Sequence, residues 1–301
     1  MKVVITGANS ALGQAILGCE SSEAASPTTF VAAVRSDRAA KELPPLPNQL
    51  SRVARISYHD SESLSAAFQE ASAIIHLAGL LIEQPGSTYR EANIETTRSV
   101  VEAVKHSTAE KLVYVSAIGA DQTSANRYLR SKGEAEALVR ASGCPYTVLR
   151  VPLLLGRGTQ GAAALRRYLN RRRAMLIGGG RNLHQPLYID DLAKAVITAV
   201  APDVAKNRTL DLVGPISLPD REIVKRAAHL LGRQIQVWSI PKQLVLLVLT
   251  IRQHIGQPGF SPDALQVITA DTNLDPLPAA TELGIQLTGI DEMIKQSVEQ
   301  G

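Results

Sequence analysis

Short apolar runs recur through the first half of the chain, each followed by a stretch whose apolar residues fall at helical spacing. The runs at 2–6, 29–34, 52–56, 73–77, 111–115 and 146–150 predict six strands. Between them the pattern predicts helices over 10–20, with Leu12, Ile16 and Leu17 apolar, over 87–106 and over 124–141. Asp60 is placed to cap a further helix running through Leu64 and Phe68. Pro44, Pro45 and Pro47 stand too close together for any regular element and mark a loop. The runs are apolar throughout rather than alternating, as expected of parallel strands buried on both faces. Six strand–helix repeats predict an α/β fold built on a doubly wound parallel sheet, with a ligand crevice at the carboxyl ends of the strands.

After Pro152 the pattern loosens. It predicts a basic helix over 161–173, a Gly178-Gly179-Gly180 break, a short strand over 187–189, a helix capped by Asp190 and a strand over 209–213. A mostly helical tail follows, and within it residues 241–255 carry leucines and valines nearly all round, which predicts a buried helix, with a roof over a hydrophobic-substrate cavity or docking to a membrane or a partner as the alternatives. Two domains are expected: a Rossmann dinucleotide-binding domain over 1–155, and a smaller substrate-binding lobe over 156–301 that partly contributes to the main sheet. The basic cluster Arg166, Arg167, Arg171, Arg172 and Arg173 surrounds Tyr168 and reads first as a solvated face. An acidic substrate group, an acidic partner subunit or anionic lipid are its sharper readings.

Composition narrows the function. With 301 residues, 45% hydrophobic and 20% charged, the chain is long enough for a large core. A net charge of +4 with no binding motif argues against nucleic acid. Cys19 and Cys144 lie at no metal-ligand spacing, so no metal is expected, and two separate thiols fit a reducing, cytoplasmic setting. Met1-Lys2 leads straight into a strand, with no leader pattern. The longest apolar run, 244–251, is too short for a transmembrane segment, which leaves peripheral membrane or protein partners open.

The candidate chemistry starts at Thr6-Gly7-Ala8-Asn9-Ser10-Ala11-Leu12-Gly13, between the first strand and its helix. Glycine lets backbone approach a pyrophosphate, and helix N-terminal N–H groups meet its charge. Gly7, Ala8, Asn9, Ser10, Leu12 and Gly13 are therefore candidate cofactor residues. Gly7 and Gly13 take the outer positions of a G-x-x-G-x-x-G loop, with Ser10 in place of the central glycine. The second strand ends in Arg35 with no carboxylate before it, which predicts NADP(H) over NAD(H): a guanidinium pairs well with a 2′-phosphate. Arg38 is placed to assist. Tyr128 and Lys132 are four apart on a predicted helix and so share a face.

These motifs line up with a known family. The chain resembles the short-chain dehydrogenase/reductase superfamily in its extended and atypical branches. The resemblance is carried by the loop 6–13, His76-Leu77-Ala78-Gly79, Asn93, Val115-Ser116, Tyr128 to Lys132, Leu149-Arg150-Val151-Pro152 and the run 185–193. Residues 115–121 and 130–134 look most like the branch related to the 39-kDa accessory subunit of respiratory complex I. The resemblance implies that Leu77, Ala78 and Gly79 flank the cofactor. It implies that Tyr128 is the acid/base and Lys132 the residue that lowers its pKa and holds the nicotinamide ribose. The family's third hydroxyl aligns with Ala117, where it is missing, or with Ser116 if the register is one residue off. Only 12 residues separate Ser116 from Tyr128, and Thr123 and Ser124 in that loop are possible substitutes. Asn93 matches a proton-relay position, and His76 reads as structural. The implied function is an NADP(H)-dependent oxidoreductase acting on a small carbonyl, alcohol or quinone-like substrate. A catalytically silent NADP(H)-binding protein acting through a partner is the alternative, and a nucleotide-sugar epimerase a weaker one.

Overall fold

The computed structural model describes residues 1–19, 28–254 and 259–299. Glu20 and Ile255, where two helices were expected to end, lie outside the described residues. The first half alternates β1 (Lys2–Thr6), α1 (Ala11–Gly18), β2 (Thr29–Val34), α2 (Asp37–Lys41), β3 (Arg52–Arg55), α3 (Ser61–Phe68), β4 (Ala73–His76), α4 (Thr96–Lys105), β5 (Lys111–Ala117), α5 (Arg127–Arg140) and β6 (Tyr146–Val151). Side-chain caps set several starts. Ser10 Oγ accepts from Gly13 N, Asp60 Oδ1 from Glu62 N and Asn126 Oδ1 from Leu129 N. The helix expected over 87–106 begins instead as a π-helical turn, Arg90–Glu95, that runs into α4. The one expected over 124–141 starts three residues late, because Asp121 folds back on Thr123 and Asn126 takes the cap.

The second half runs β7 (Leu154–Leu155), α6 (Gln160–Leu169), β8 (Arg173–Ile177), β9 (Leu183–His184), β10 (Leu187–Tyr188), α7 (Ile189–Ala199), β11 (Arg208–Asp211) and β12 (Leu218–Pro219). It continues with α8 (Asp220–Leu230), β13 (Gln236–Ile240), α9 (Lys242–His254), α10 (Pro262–Ile268), α11 (Leu277–Glu282) and α12 (Ile290–Glu299). Three expectations are corrected here. The basic helix stops at Leu169, and Arg173 opens a strand, because β8 pairs in parallel with β13. Tyr188, not Asp190, is the N-cap of α7; Asp190 lies in the first turn, where a negative charge suits the helix dipole. The third concerns α9. Leu249 is buried, but Leu244, Leu247, Val248 and Ile251 are exposed, because nothing among the described residues covers that side.

Seven strands form one parallel sheet in the order β11-β6-β5-β4-β1-β2-β3. This is a doubly wound, Rossmann-like α/β sheet. The strand order reverses between β1 and β4, which register as Thr6 opposite His76. Each face of the sheet carries its own apolar layer. One combines Ile5, Leu12, Ile16 and Phe30 with Leu192 and Val196 of α7. The other joins Val4, Phe68, Val100, Val104 and Val139. A third cluster, with Leu165, Leu176, Ile223 and Met293, sits among α6, β8, α8 and α12. Residues 187–212 thus return to the main sheet, as α7 against α1 and as β11 beside β6.

Candidate active site

The carboxyl ends of β1 and β4, where the strand order reverses, are the usual ligand position in a sheet of this kind. Gly7 turns the chain there with φ +74°, and a Cβ on it would stand 3.4 Å from Ala78 N and Leu77 C. The loops after β1 and β4 therefore touch. A Cβ on Gly13 would lie 2.4 Å from Ala8 O, so α1 packs on its own loop only without a side chain there. These contacts form a bare-backbone cradle at a helix N-terminus, and the residues present fit a dinucleotide. Ser10 fills the central glycine position as the cap of α1. Ala8 and Leu12 are buried in the core, so any contact they make with a cofactor comes from their backbone. Asn9 Nδ2 donates to Glu42 Oε2 at 3.3 Å.

At the end of β2, Arg35 is exposed and makes no ion pair among the described residues. Its neighbours are engaged: Asp37 with Arg55 at 3.1 Å and Arg38 with Glu42 at 3.3 Å. Asp37, the carboxylate just past the strand, thus faces Arg55, while no ion pair engages Arg35 among the described residues. Arg38, expected to assist, makes an exposed surface pair with Glu42 that leaves it accessible.

Lys132 projects from α5 to the carboxyl end of β5. Its Nζ donates to Val115 O at 2.9 Å and lies 4.4 Å from the Tyr114 ring centroid. Burial pulls its pKa down to about 7, partly opposed by the charge of Glu136. Gly79, with φ +151°, leaves room beside it: a Cβ there would meet Asn93 Oδ1 at 2.9 Å and Lys132 Nζ at 3.6 Å. Asn93, buried in the π-helical turn, accepts from Leu80 N at 3.0 Å and donates to Ser131 Oγ at 2.8 Å. It ties the loop after β4 to α5. Irregular turns of this type recur at functional sites.

Tyr128 packs its ring 5.7 Å from that of Tyr89, and its hydroxyl makes no hydrogen bond among the described residues. Burial, and then Tyr89, raise its pKa above the usual phenol range. Ser116 is buried beside Glu136 but outside hydrogen-bond geometry. Side chains alternate along a strand, so Ser116 faces α5 and Ala117 the opposite side. Thr123 binds Asp121 instead, with Oγ1 2.8 Å from Oδ1. His76 is fully buried between Thr6 and Thr97.

Sequence reasoning missed two parts of this site. Glu136 is buried and accepts two hydrogen bonds from Arg150, at 2.8 and 2.7 Å, with Arg140 at 3.1 Å, which locks α5 to β6. Burial works to raise its pKa, but the hydrogen bonds and charge of Arg150 bring it below the usual carboxylate value. The spacing Lys132–Glu136–Arg140 was the available signal. The second half also reaches the crevice. A Cβ on Gly158 would come 3.4 Å from Ala11, and Ser261 Oγ lies 3.2 Å from Tyr89 Oη.

A family model described as NAD(P)H-binding matches residues 7–176, more than half of the chain. Among curated proteins, mouse NADH dehydrogenase [ubiquinone] 1 alpha subcomplex subunit 9, mitochondrial, is 25% identical over 242 residues, covering 77% of this chain and 62% of that protein. The Arabidopsis thaliana protein of the same name is 26% identical over 232 residues, covering 71% and 56%. The chain thus spans about three-fifths of the length of the curated relatives it matches. Among solved structures, UDP-glucuronic acid 4-epimerase from Bacillus cereus with UDP-glucuronic acid and NAD superposes with a TM-score of 0.77 at 17% identity, covering 99% of this chain and 98% of that one. UDP-glucose 4-epimerase from Thermotoga maritima with UDP-glucose gives 0.75 at 17% identity, covering 99% and 98%. At such identities the likeness is one of fold. The family match shows that the chain belongs to the NAD(P)H-binding family, and its motifs and sheet topology fit the atypical short-chain dehydrogenase/reductases.

Proposed function

We propose that this chain is an NADP(H)-dependent oxidoreductase that works in the reductive direction on a small carbonyl or quinone-like substrate. The observation that carries the reading is Lys132, buried one helical turn beyond Tyr128 with its ammonium beside Gly79 at the mouth of the crevice. When bound, the reduced nicotinamide supplies the hydride. Gly7, Ala8, Asn9, Ser10, Leu12 and Gly13 would hold the pyrophosphate, Leu77, Ala78 and Gly79 would flank the ring, and Arg35 would pair with the 2′-phosphate. Tyr128 donates its proton to the substrate oxygen. Burial and Tyr89 raise its pKa, so the lowering by Lys132 that the resemblance implies is not seen. The phenol stays in the protonated form a general acid needs but is a weakened acid, and the charge developing on the substrate oxygen must draw the proton. Lys132 positions the ribose and stabilises the phenolate left behind. Ser116 is the remaining strand-end hydroxyl and carries no hydrogen bond that must be broken. Free thiols at Cys19 and Cys144 support a cytoplasmic setting.

A second reading is NADP(H) binding without turnover, within a larger assembly. Ala117 favours it by lacking the hydroxyl that the family resemblance expects at that position, as does the likeness to a protein named as a respiratory complex subunit. An epimerase that retains NAD is disfavoured by Arg35, which makes no ion pair among the described residues.

The test is nucleotide content and turnover on one sample, with NADPH absorbance followed against carbonyls and quinones. NADP(H) should be recovered, and Tyr128→Phe should lose about 100-fold or more in turnover with nucleotide affinity unchanged. Arg35→Ala should weaken NADPH about tenfold or more and leave NADH unchanged. Full turnover in Tyr128→Phe would sink the proton role. Stoichiometric NADP(H) with no turnover would move the assignment to the second reading, and retention of NAD alone would restore the epimerase.

A further inference from the structure

The solvent side of α9 is apolar. Leu244, Leu247, Val248 and Ile251 are 53, 58, 49 and 52% exposed, and they fall at i, i+3, i+4 and i+7, a single helical stripe. A stripe that usually faces a core here faces outward. The element leading into it is similar. β13 exposes Trp238 (46%), paired across the small sheet with Met175 of β8 (42%), and Arg173 stacks over the Trp238 ring at 4.4 Å. Exposed apolar side chains on two elements consecutive in the chain are the kind of surface that marks a docking site.

Charge says what docks. The sequence holds no Asp or Glu from 137 to 189, nor from 223 to 262. These are the two stretches that build α6, β8, β13 and α9. Over the same stretches stand Arg171, Arg172, Arg173, Arg233, Lys242 and Arg252. Arg171, Arg172 and Arg233 line a groove of about 420 Å³ with Asn170 and Gln234, at the end where β8 and β13 both begin. The first carboxylate after α9, Asp263 of α10, is engaged, accepting from Arg127 N at 2.9 Å. A rim in which arginines outnumber carboxylates, with Glu222 and Asp291 in the neighbouring cavity that shares Arg233, a tryptophan near it and a leucine-rich helical stripe are components of an interfacial helix. No helix among the described residues is long and apolar enough to cross a membrane.

We propose that α9, with Trp238 and Met175, docks this protein peripherally on an anionic phospholipid surface. The stripe enters the acyl boundary, and the arginines of the groove and rim meet the headgroup phosphates. This inference does not depend on the reductase reading.

The test is flotation of the full-length chain with phosphatidylglycerol-containing vesicles and with pure phosphatidylcholine vesicles. The chain should float with the first and not the second, and raised salt should release it. Leu247→Gln combined with Ile251→Gln should abolish flotation, and the triple change Arg171→Gln, Arg172→Gln, Arg173→Gln should weaken it about 100-fold. These positions are exposed, and unchanged circular dichroism and nucleotide binding would show that the variants fold. Equal flotation with both vesicle types, or undiminished flotation of the stripe variant, would overturn the proposal. So would no flotation together with self-association that the stripe variant removes, since the face would then be a protein interface.

Discussion

His76 ends β4 with both ring nitrogens engaged, Nδ1 with Thr6 Oγ1 at 2.7 Å and Nε2 with Thr97 Oγ1 at 3.0 Å. Burial, and then the nearby charge of Lys132, lower its pKa from 6.5 to about 3. The unfolded chain therefore binds a proton between those two values that the folded chain refuses, so stability rises with pH across that window and is lost as pH falls through it. The slope from this one residue is about 1.4 kcal/mol per pH unit. Melting followed from pH 6.5 down to pH 4 should show a steep fall, and His76→Gln should flatten it. An equally steep profile in the variant would assign the acid sensitivity to other groups. The structural role of His76 was legible from its place on an apolar strand. The perturbation of Lys132 was not, because helical spacing shows that it shares a face with Tyr128 but not how deeply that face is buried.

At the scale of elements, the loop into α1 was readable to the residue. Gly7 and Gly13 stand where the turn and the close approach require them. Gly13→Ala should force α1 away from Ala8 O, costing about 1–3 kcal/mol and weakening NADPH binding; denaturant titration and nucleotide titration check the two effects. Unchanged stability and binding would mean that the loop yields freely. The later helices were less legible. An all-round apolar pattern in α9 predicts burial, yet only part of its circumference finds a partner, since packing depends on neighbours distant in sequence. The arginines of 166–173 likewise looked like one helical face, but β13 draws Arg173 into a strand.

For the whole molecule, the decisive feature is the return of the chain to the main sheet. Leu187, Ile189, Leu192 and Val196 complete the apolar layer over α1, and β11 pairs along β6. Asp191, buried in α7, accepts from Thr288 N at 2.7 Å and Thr288 Oγ1 at 2.8 Å, tying the C-terminal segment to the same helix. A fragment of residues 1–155 would leave one face of its sheet open to water. It should show no native near-ultraviolet dichroism and no NADPH binding, whereas the intact chain unfolds in one transition. A folded, nucleotide-binding fragment would show that the first domain stands alone.

The sequence by itself determined the parallel sheet, the glycine loop between β1 and α1 and the positions of Tyr128, Lys132 and Arg35. Buried strands, tight turns and helical spacing are local patterns with local physical causes. Only the tertiary structure decided that Ser116 lies against Glu136, that Glu136 pairs with Arg150, that Arg35 meets no carboxylate among the described residues, and that the α9 stripe faces outward. Each depends on which residues distant in the chain meet across an interface, and that is settled by packing rather than by any single segment.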